Sequence, residues 1–270
     1  MGSVKNTKIT ILGGGNIGMS IAAGLIKSGQ WKASDLTITR VASQSLTDIV
    51  NMGINATHDN KKALKDADFV FLAVQPRQAV KVLEDIKEAL DPKKHNIISV
   101  VTALSFADIE KVIGKGFSLT RIMPNTAISI CESMTCMASN DTESEMFKKA
   151  QALVNHLGKT LIIEEKMMAA ATVLASCGTA FMMRFIRAAA QGGIQVGFHA
   201  SEAQYIVAQV AKGAACLLME NGLHPEQEID KVTTPMGLTI KGLNEMEHNG
   251  LSSAVIKGIV HSYNEMEKIK

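Results

Sequence analysis

The stretch Gly13-Gly14-Gly15-Asn16-Ile17-Gly18 constrains this chain more than any other part of it. Its spacing is G-x-G-x-x-G. It follows a short apolar run, Lys8–Leu12, and opens a helical pattern over Asn16–Ser28, with Ile17, Ile21 and Leu25 on one side and Gly29 as the stop. Alone the glycine pattern is weak, but between a strand and a helix it is the fingerprint of a dinucleotide-binding turn. Each glycine answers a physical demand: Gly13 makes the tight turn, Gly15 lets backbone approach a pyrophosphate, and Gly18 lets helix and strand pack closely. The phosphates then face the open amides and positive dipole end of the helix.

The rest of the first half keeps the same alternation. Leu36–Arg40, Phe69–Val74, Asn96–Val101 and Leu119–Met123 read as strands, several of them apolar on both faces. Helical spacing follows Pro76 (Ala79, Val80, Leu83, Ile86, Leu90) and runs again over Ser105–Ile113. Strands apolar on both faces imply a parallel sheet covered on both sides. From about Glu164 the strand signals stop and helical ones continue to the end. A capping box at Ser201 and Gln204 opens a helix that runs through Asn221 to Gly222. Thr239–His248 and Ser253–Lys268 follow, split by Asn249-Gly250. The expected architecture is α/β: a Rossmann-type parallel sheet over residues 1–163, then an all-helical dimerisation and substrate domain over 164–270.

Composition enters as a filter. Hydrophobic residues make up 46% and charged residues 20% of the 270, enough for a sizeable core and against a disordered chain. A net charge of +2 from interspersed Lys, Arg, Asp and Glu argues against binding to nucleic acid through bulk charge. Cys131, Cys136, Cys177 and Cys216 fall in no metal-ligand spacing, and no metal is expected. They read as reduced thiols in a cytoplasmic protein. Met167–Met183 carries no charge and touches the lower length limit of a spanning helix. Ser176, Gly178 and Thr179 within it, and Arg184 and Arg187 just beyond, favour a helix buried in an oligomer interface, so no membrane is expected.

Strand two bears on the cofactor. Its end reads Thr39-Arg40-Val41-Ala42-Ser43, with no carboxylate to bond a ribose 2′-hydroxyl. Arg40 can instead pair with a 2′-phosphate, helped by Ser43 and Ser45, which points to NADP, with NADPH preferred over NADH. The alternative is a solvated surface charge. Ala73-Val74-Gln75-Pro76 ends a buried strand at the sheet edge where dinucleotides lie, although Pro76 also suits the first turn of the next helix. Asn125 leaves another strand at that edge, where it either lines the nicotinamide pocket or caps a turn. In the second half, Thr234-Pro235-Met236-Gly237-Leu238-Thr239 runs a turn into a helix. Its amides can hold a carboxylate, or else Thr239 is simply an N-cap.

Taken in order, ILGGGNIG, Asp59-Asn60, FLAVQP, RIMPN over Arg121–Asn125, Gly192-Gly193 and DKVTTPMGLTIKGL resemble the pyrroline-5-carboxylate reductases along nearly the whole chain. The resemblance implies reduction of the ring imine of 1-pyrroline-5-carboxylate to L-proline with NAD(P)H. It also implies C-terminal helices that intertwine into homodimers, with decamers built from them. It assigns Gly13, Gly15, Asn16, Ile17, Gly18, Asn60, Ala73 and Gln75 to the cofactor. Thr239 would hydrogen-bond near the imine nitrogen, and the backbone amides of Met236, Gly237 and Leu238 would receive the substrate carboxylate. Two departures stand out. Ala175–Phe181 replaces the family's Ser-Gly-Ser-Gly-Pro-Ala-Tyr, and Met236 and Leu238 fall in its Pro-Gly-Gly-Thr-Thr. A Met where backbone meets substrate would narrow the pocket or alter the loop.

Other readings are a related reductase with a shifted cyclic-imine substrate, and a non-catalytic dinucleotide sensor that keeps the glycine turn without substrate geometry. A β-hydroxyacid dehydrogenase shares the architecture but would need a Lys with Asn four residues on. Lys166 is followed there by Ala170. Retained Thr239 favours an enzyme. Apolar helices beyond Glu164, with Met167, Met168, Met182 and Met183, carry more hydrophobic surface than so small a helical unit can bury alone.

Overall fold

A computed structural model describes residues 7–268. In chain order it forms β1 (Ile9–Leu12), α1 (Asn16–Lys27), β2 (Leu36–Thr39), α2 (Thr47–Asn51), β3 (Asn55–Thr57), α3 (Asn60–Leu64), β4 (Phe69–Leu72) and α4 (Pro76–Ile86). These are followed by β5 (Asn96–Ser99), α5 (Phe106–Ile113), β6 (Leu119–Met123), β7 (Ser133–Ser139), α6 (Glu145–Asn155) and β8 (Gly158–Ile162). The strands make one 8-stranded sheet in the order β3-β2-β1-β4-β5-β6-β7-β8. Every pair is parallel except β6 with β7. Only a short 3-10 turn, Thr126–Ile130, joins those two, too little chain for the crossover that a parallel neighbour needs.

Alternation along the strands builds a core on each face of the sheet. Ile9, Ile11, Ile38 and Phe71 pack with α1 and α6 residues such as Ile21, Leu25, Phe147 and Leu153. Leu12, Val70 and Leu72 point the other way, toward Leu83 and Ile86 of α4 and Ile109 of α5. Local signals set the helix ends. Pro76 is the first residue of α4, where its missing N–H loses nothing. Ser105 caps α5 reciprocally: Ser105 Oγ accepts from the Asp108 amide at 3.1 Å, and the Ser105 amide donates to Asp108 Oδ2 at 3.0 Å. Behind α5, the buried Arg121 of β6 donates through Nη1 to Glu165 Oε1 at 2.9 Å.

The described chain divides into two compact units. The first runs up to Cys177 and includes the stretch after Glu265, and the second is Gly178–Glu265. The helical run begins inside the first unit with α7 (Met168–Ala171), then widens into a π-turn over Thr172–Cys177. The second unit is all helix: α8 (Gly178–Gln195), α9 (Ala200–Asn221), α10 (Pro225–Val232), α11 (Leu238–His248) and α12 (Leu251–Glu267, whose last turn falls outside it).

Two helix starts differ from the sequence reading. The capping box of α9 sits earlier than Ser201 and Gln204: His199 is the N-cap, and its amide donates to Glu202 Oε2 at 3.0 Å. Ser201 is already the second residue inside the helix, so it does not stand at the flanking position from which a side chain caps the first turn. Likewise Gly237, not Thr239, is the N-cap of α11.

Candidate functional site

β1 lies between β2 and β4, so strand order reverses direction at the carboxyl end of β1, where a crevice opens. Gly13 stands there with φ of +110°, a backbone conformation side chains rarely adopt. A Cβ on Gly13 would also lie 2.5 Å from the carbonyl oxygen of Ala73, at the end of β4. A Cβ on Gly18 would strike the Gly13 carbonyl, so this glycine is what lets α1 pack against β1. Gly15 differs from both, since a Cβ there would meet nothing within 4 Å. Gly15 and Asn16 are exposed at the mouth of the crevice.

The loop is tied down on its β2 side. The amides of Gly13 and Gly14 both donate to the Thr39 carbonyl, at 3.2 and 2.8 Å. What remains is the start of α1, with no side-chain cap and no acidic residue in its first turn. The first amides of a helix have no carbonyl of their own helix to bond. Such a turn, with room above Gly15, fits the pyrophosphate of a dinucleotide.

Around this centre the other expected residues take definite partners. Ala73 is buried, and its amide donates to the Leu12 carbonyl at 2.8 Å. Gln75 is the N-cap of α4, and its Oε1 accepts from Arg77 Nε at 2.9 Å. Asn60 begins α3, and its Nδ2 donates to Asp85 Oδ2 of α4 at 3.2 Å. Asn125 caps the 3-10 turn after β6. Its Oδ1 accepts from the Ala127 amide at 2.9 Å, and its Nδ2 donates to the Ala175 carbonyl within the π-turn at 3.1 Å. The cap is one of the two roles open to Asn125 in the sequence.

Arg40 follows β2 directly and is not a solvated charge. Its Nε donates to the Gly14 carbonyl at 2.8 Å, Nη1 to the Ser45 carbonyl at 2.7 Å and to Asp48 Oδ1 at 2.5 Å, and Nη2 to Asp48 Oδ2 at 2.8 Å. Arg40 hydrogen-bonded to the Asp48 carboxyl holds that group below the usual carboxylate range. Ser45 serves through its carbonyl, while its hydroxyl donates to Thr47 Oγ1 at 2.8 Å. Ser43 is exposed. Asp48 is the participant that sequence reading missed: it lies in no motif, and only the fold of α2 against the end of β2 brings it to the guanidinium.

The expected substrate residues lie in the second unit. Between α10 and α11 the chain makes a tight turn in which the Gly237 amide donates to the Thr234 carbonyl at 2.9 Å. Of the three amides expected to meet a carboxylate, Gly237's is therefore engaged in closing the turn itself, which leaves those of Met236 and Leu238. Thr239 is exposed in the first turn of α11. Met236 has φ of +61°, so the loop keeps a left-handed residue at that position although a side chain now occupies it.

A family model described as pyrroline-5-carboxylate reductase dimerisation matches residues 165–269, and one described as NADP oxidoreductase, coenzyme F420-dependent, matches residues 8–103. Among solved structures, a pyrroline-5-carboxylate reductase from Coxiella burnetii superimposes with a TM-score of 0.85 at 27% identity, covering 98% of this chain and 99% of that one. A Plasmodium falciparum pyrroline carboxylate reductase has the same fold, with a TM-score of 0.88 at 24% identity over 98% of this chain and 99% of that one. Pyrroline-5-carboxylate reductase 1 of Dictyostelium discoideum is 44% identical over 94% of this chain, which spans 48% of that longer protein. Pyrroline-5-carboxylate reductase 2 of the same organism is 44% identical over 98% of this chain and 94% of its own length. Identity of that order, carried from the glycine turn through the last helix, means that this chain belongs to the pyrroline-5-carboxylate reductase family.

Proposed function

We propose that this chain reduces 1-pyrroline-5-carboxylate to L-proline with NAD(P)H, and that NADPH is the preferred donor. The observation that carries the reading is the open glycine cradle at the start of α1, joined in one chain to a family-type turn at Thr234–Thr239. Residues 1–163 would supply the cofactor site, and 164–270 the substrate and oligomer contacts.

A cyclic imine takes up a proton readily, and the resulting cation accepts hydride without a strong acid beside it. Bound NAD(P)H supplies that hydride from its nicotinamide ring. The chain's own task is orientation and charge placement. Amides of Gly15, Asn16, Ile17 and Gly18 hold the pyrophosphate, with Ala73, Gln75, Pro76 and Asn60 flanking the cofactor. Arg40 takes the 2′-phosphate. The amides of Met236 and Leu238 receive the substrate carboxylate, while Gly237 keeps the turn closed. Thr239 accepts a hydrogen bond from the protonated ring nitrogen through Oγ1 and fixes the ring for attack.

The chain acts as a homo-oligomer, a dimer at least, with decamers assembled from dimers. We read it as a soluble, cytoplasmic enzyme. The helical run Glu165–Gln195 is long and apolar enough to cross a membrane. Arg184 and Arg187 within that run suit an interface between chains better than a lipid-facing surface.

Steady-state assay of the purified protein with 1-pyrroline-5-carboxylate tests the reading. Cofactor oxidation that depends on the imine, with higher kcat/KM for NADPH than for NADH, is expected. Thr239→Val should lower kcat/KM by at least about tenfold, the scale of one lost positioning hydrogen bond in a transition state. Tight NADPH binding with no turnover of that imine would overturn the assignment.

A further inference from the structure

The guanidinium that would receive the 2′-phosphate already holds a carboxylate. Arginine offers five N–H donors in a planar fork. Four are engaged here: one on the Gly14 carbonyl, two on the Ser45 carbonyl and Asp48 Oδ1, and one on Asp48 Oδ2. A single Nη2 hydrogen remains. A phosphate gripped in the two-pronged manner that makes arginine its preferred partner needs free hydrogens on two of the three nitrogens, and here Nε and Nη1 are fully engaged. It therefore cannot form its full set of bonds while Asp48 holds the fork.

The two bonds on the backbone side are different in kind. Those to Gly14 and Ser45 fix the guanidinium next to the glycine cradle and do not compete for the ligand's charge. Asp48 does compete, and it is built to let go. Its side chain is 56% exposed, against 13% for that of Arg40, so water can take over the carboxylate while the arginine stays in place. It sits on the short helix α2, behind the exposed stretch 41–45. NADH has no 2′-phosphate and can bind with the pair intact, whereas NADPH must exchange one anion for another.

We propose that Asp48 is a specificity-determining residue that competes with the cofactor's 2′-phosphate for Arg40 and thereby sets how strongly NADPH is favoured over NADH. The inference rests on the reading that Arg40 is the 2′-phosphate ligand. Asp48 works as a repulsive element rather than a contact: it lowers the affinity for one ligand and leaves the other alone. A half-exposed ion pair of this geometry predicts a change of roughly two- to fivefold. The change should shrink as salt is raised, because both the pair and its replacement are screened.

The test is direct binding, without substrate or turnover. Titrations of NADPH, NADH and 2′,5′-ADP are compared for the unaltered protein, Asp48→Ala, Asp48→Asn and Arg40→Ala. Asp48→Ala is expected to bind NADPH and 2′,5′-ADP several-fold more tightly while NADH changes by less than twofold. Asp48→Asn keeps the shape and loses the charge, and should show a smaller gain in the same direction. Equal or weaker binding of 2′,5′-ADP to both variants would overturn the proposal, since Asp48 would then be holding Arg40 in position for the phosphate. Arg40→Ala separates the two levels. If it weakens NADPH but not NADH, the Arg40 reading stands whatever Asp48 does. If it affects both cofactors alike, that reading fails, and the inference fails with it.

Discussion

Met236 shows at the residue scale how a sequence departure is absorbed. The left-handed backbone at φ +61° is one that glycine adopts without penalty, and an L side chain there costs about 1–2 kcal/mol. The turn keeps its shape because the Gly237 amide and the Thr234 carbonyl hold it, and the Met236 side chain, 88% exposed, meets little resistance. Met236→Gly should therefore stabilise the protein slightly, by about 0.5 kcal/mol once the extra freedom of glycine in the unfolded chain is set against the relieved strain. A β-branched residue has a worse fit to that backbone, and Met236→Val should lower the melting temperature. Melting at fixed protein concentration checks both directions.

His95 provides a pH-dependent counterpart. It is buried, its Nδ1 accepts from the Asp91 amide at 2.9 Å, and its Nε2 lies 3.1 Å from the Leu64 carbonyl. That pattern suits the neutral ring with Nε2 protonated, and burial pushes its pKa below the ordinary value for histidine. The unfolded chain therefore binds the proton more readily than the folded one between the folded pKa and about 6.5. The stability contributed by His95 is fully present above pH 6.5 and declines as pH falls through that window. Denaturant midpoints measured from pH 7.5 to 5 should show this fall, and His95→Gln should flatten it.

Among secondary-structure elements, the internal strands were legible and the edge strands were not. β1, β2, β4, β5 and β6 read as strands because they are short apolar runs packed on both faces. β3 and β8 escaped because they lie at the two ends of the sheet, and only part of each is covered. β7 reads SMTCMAS, whose small and polar residues hide a strand that is mostly buried. The glycine turn was legible because it depends on local backbone chemistry, whereas the start of α11 was placed one residue late and its N-cap two residues late. The Arg40–Asp48 pair and the bond from Asn125 to the π-turn depend on tertiary placement, and no local pattern encodes that. The π-turn over Thr172–Cys177 ends inside Ala175–Phe181, the stretch read from the sequence as a departure, and such widened turns leave a carbonyl in need of a donor. Asn125 supplies one. Asn125→Ser keeps a cap for the 3-10 turn but is too short to reach Ala175, so it should cost about 1 kcal/mol. Asn125→Ala loses both bonds and should cost about 2 kcal/mol. A melting temperature of Asn125→Ser equal to that of the unaltered protein would show that the π-turn bond contributes nothing.

At the scale of the whole molecule, the second unit has a deficit of burial. Among the described residues, only Ala190 and Ala203 are buried between Gly178 and Glu265. Meanwhile Met182, Met183, Val210, Met219 and Ile256 are each at least 59% exposed in the single chain. Helices left so bare do not stay soluble or stable alone, and a monomer seldom displays so much contiguous apolar surface. A second copy supplies the missing cover, which couples stability to concentration. Sedimentation at micromolar concentration should therefore give a mass of at least twice the 28.9 kDa of one chain. A charge placed on this surface should shift the equilibrium: Val210→Asp on α9 is expected to move mass toward single chains and make the melting temperature rise with protein concentration. Val80→Asp, on α4 of the first unit and 45% exposed, is the matched control and should change neither. If Val210→Asp stays fully associated, the contact between copies runs along another face of the helical unit. If the unaltered protein itself sediments as one chain, the exposed methionines and valines need a different explanation, and the substrate turn at Thr234–Thr239 has to work without a partner chain.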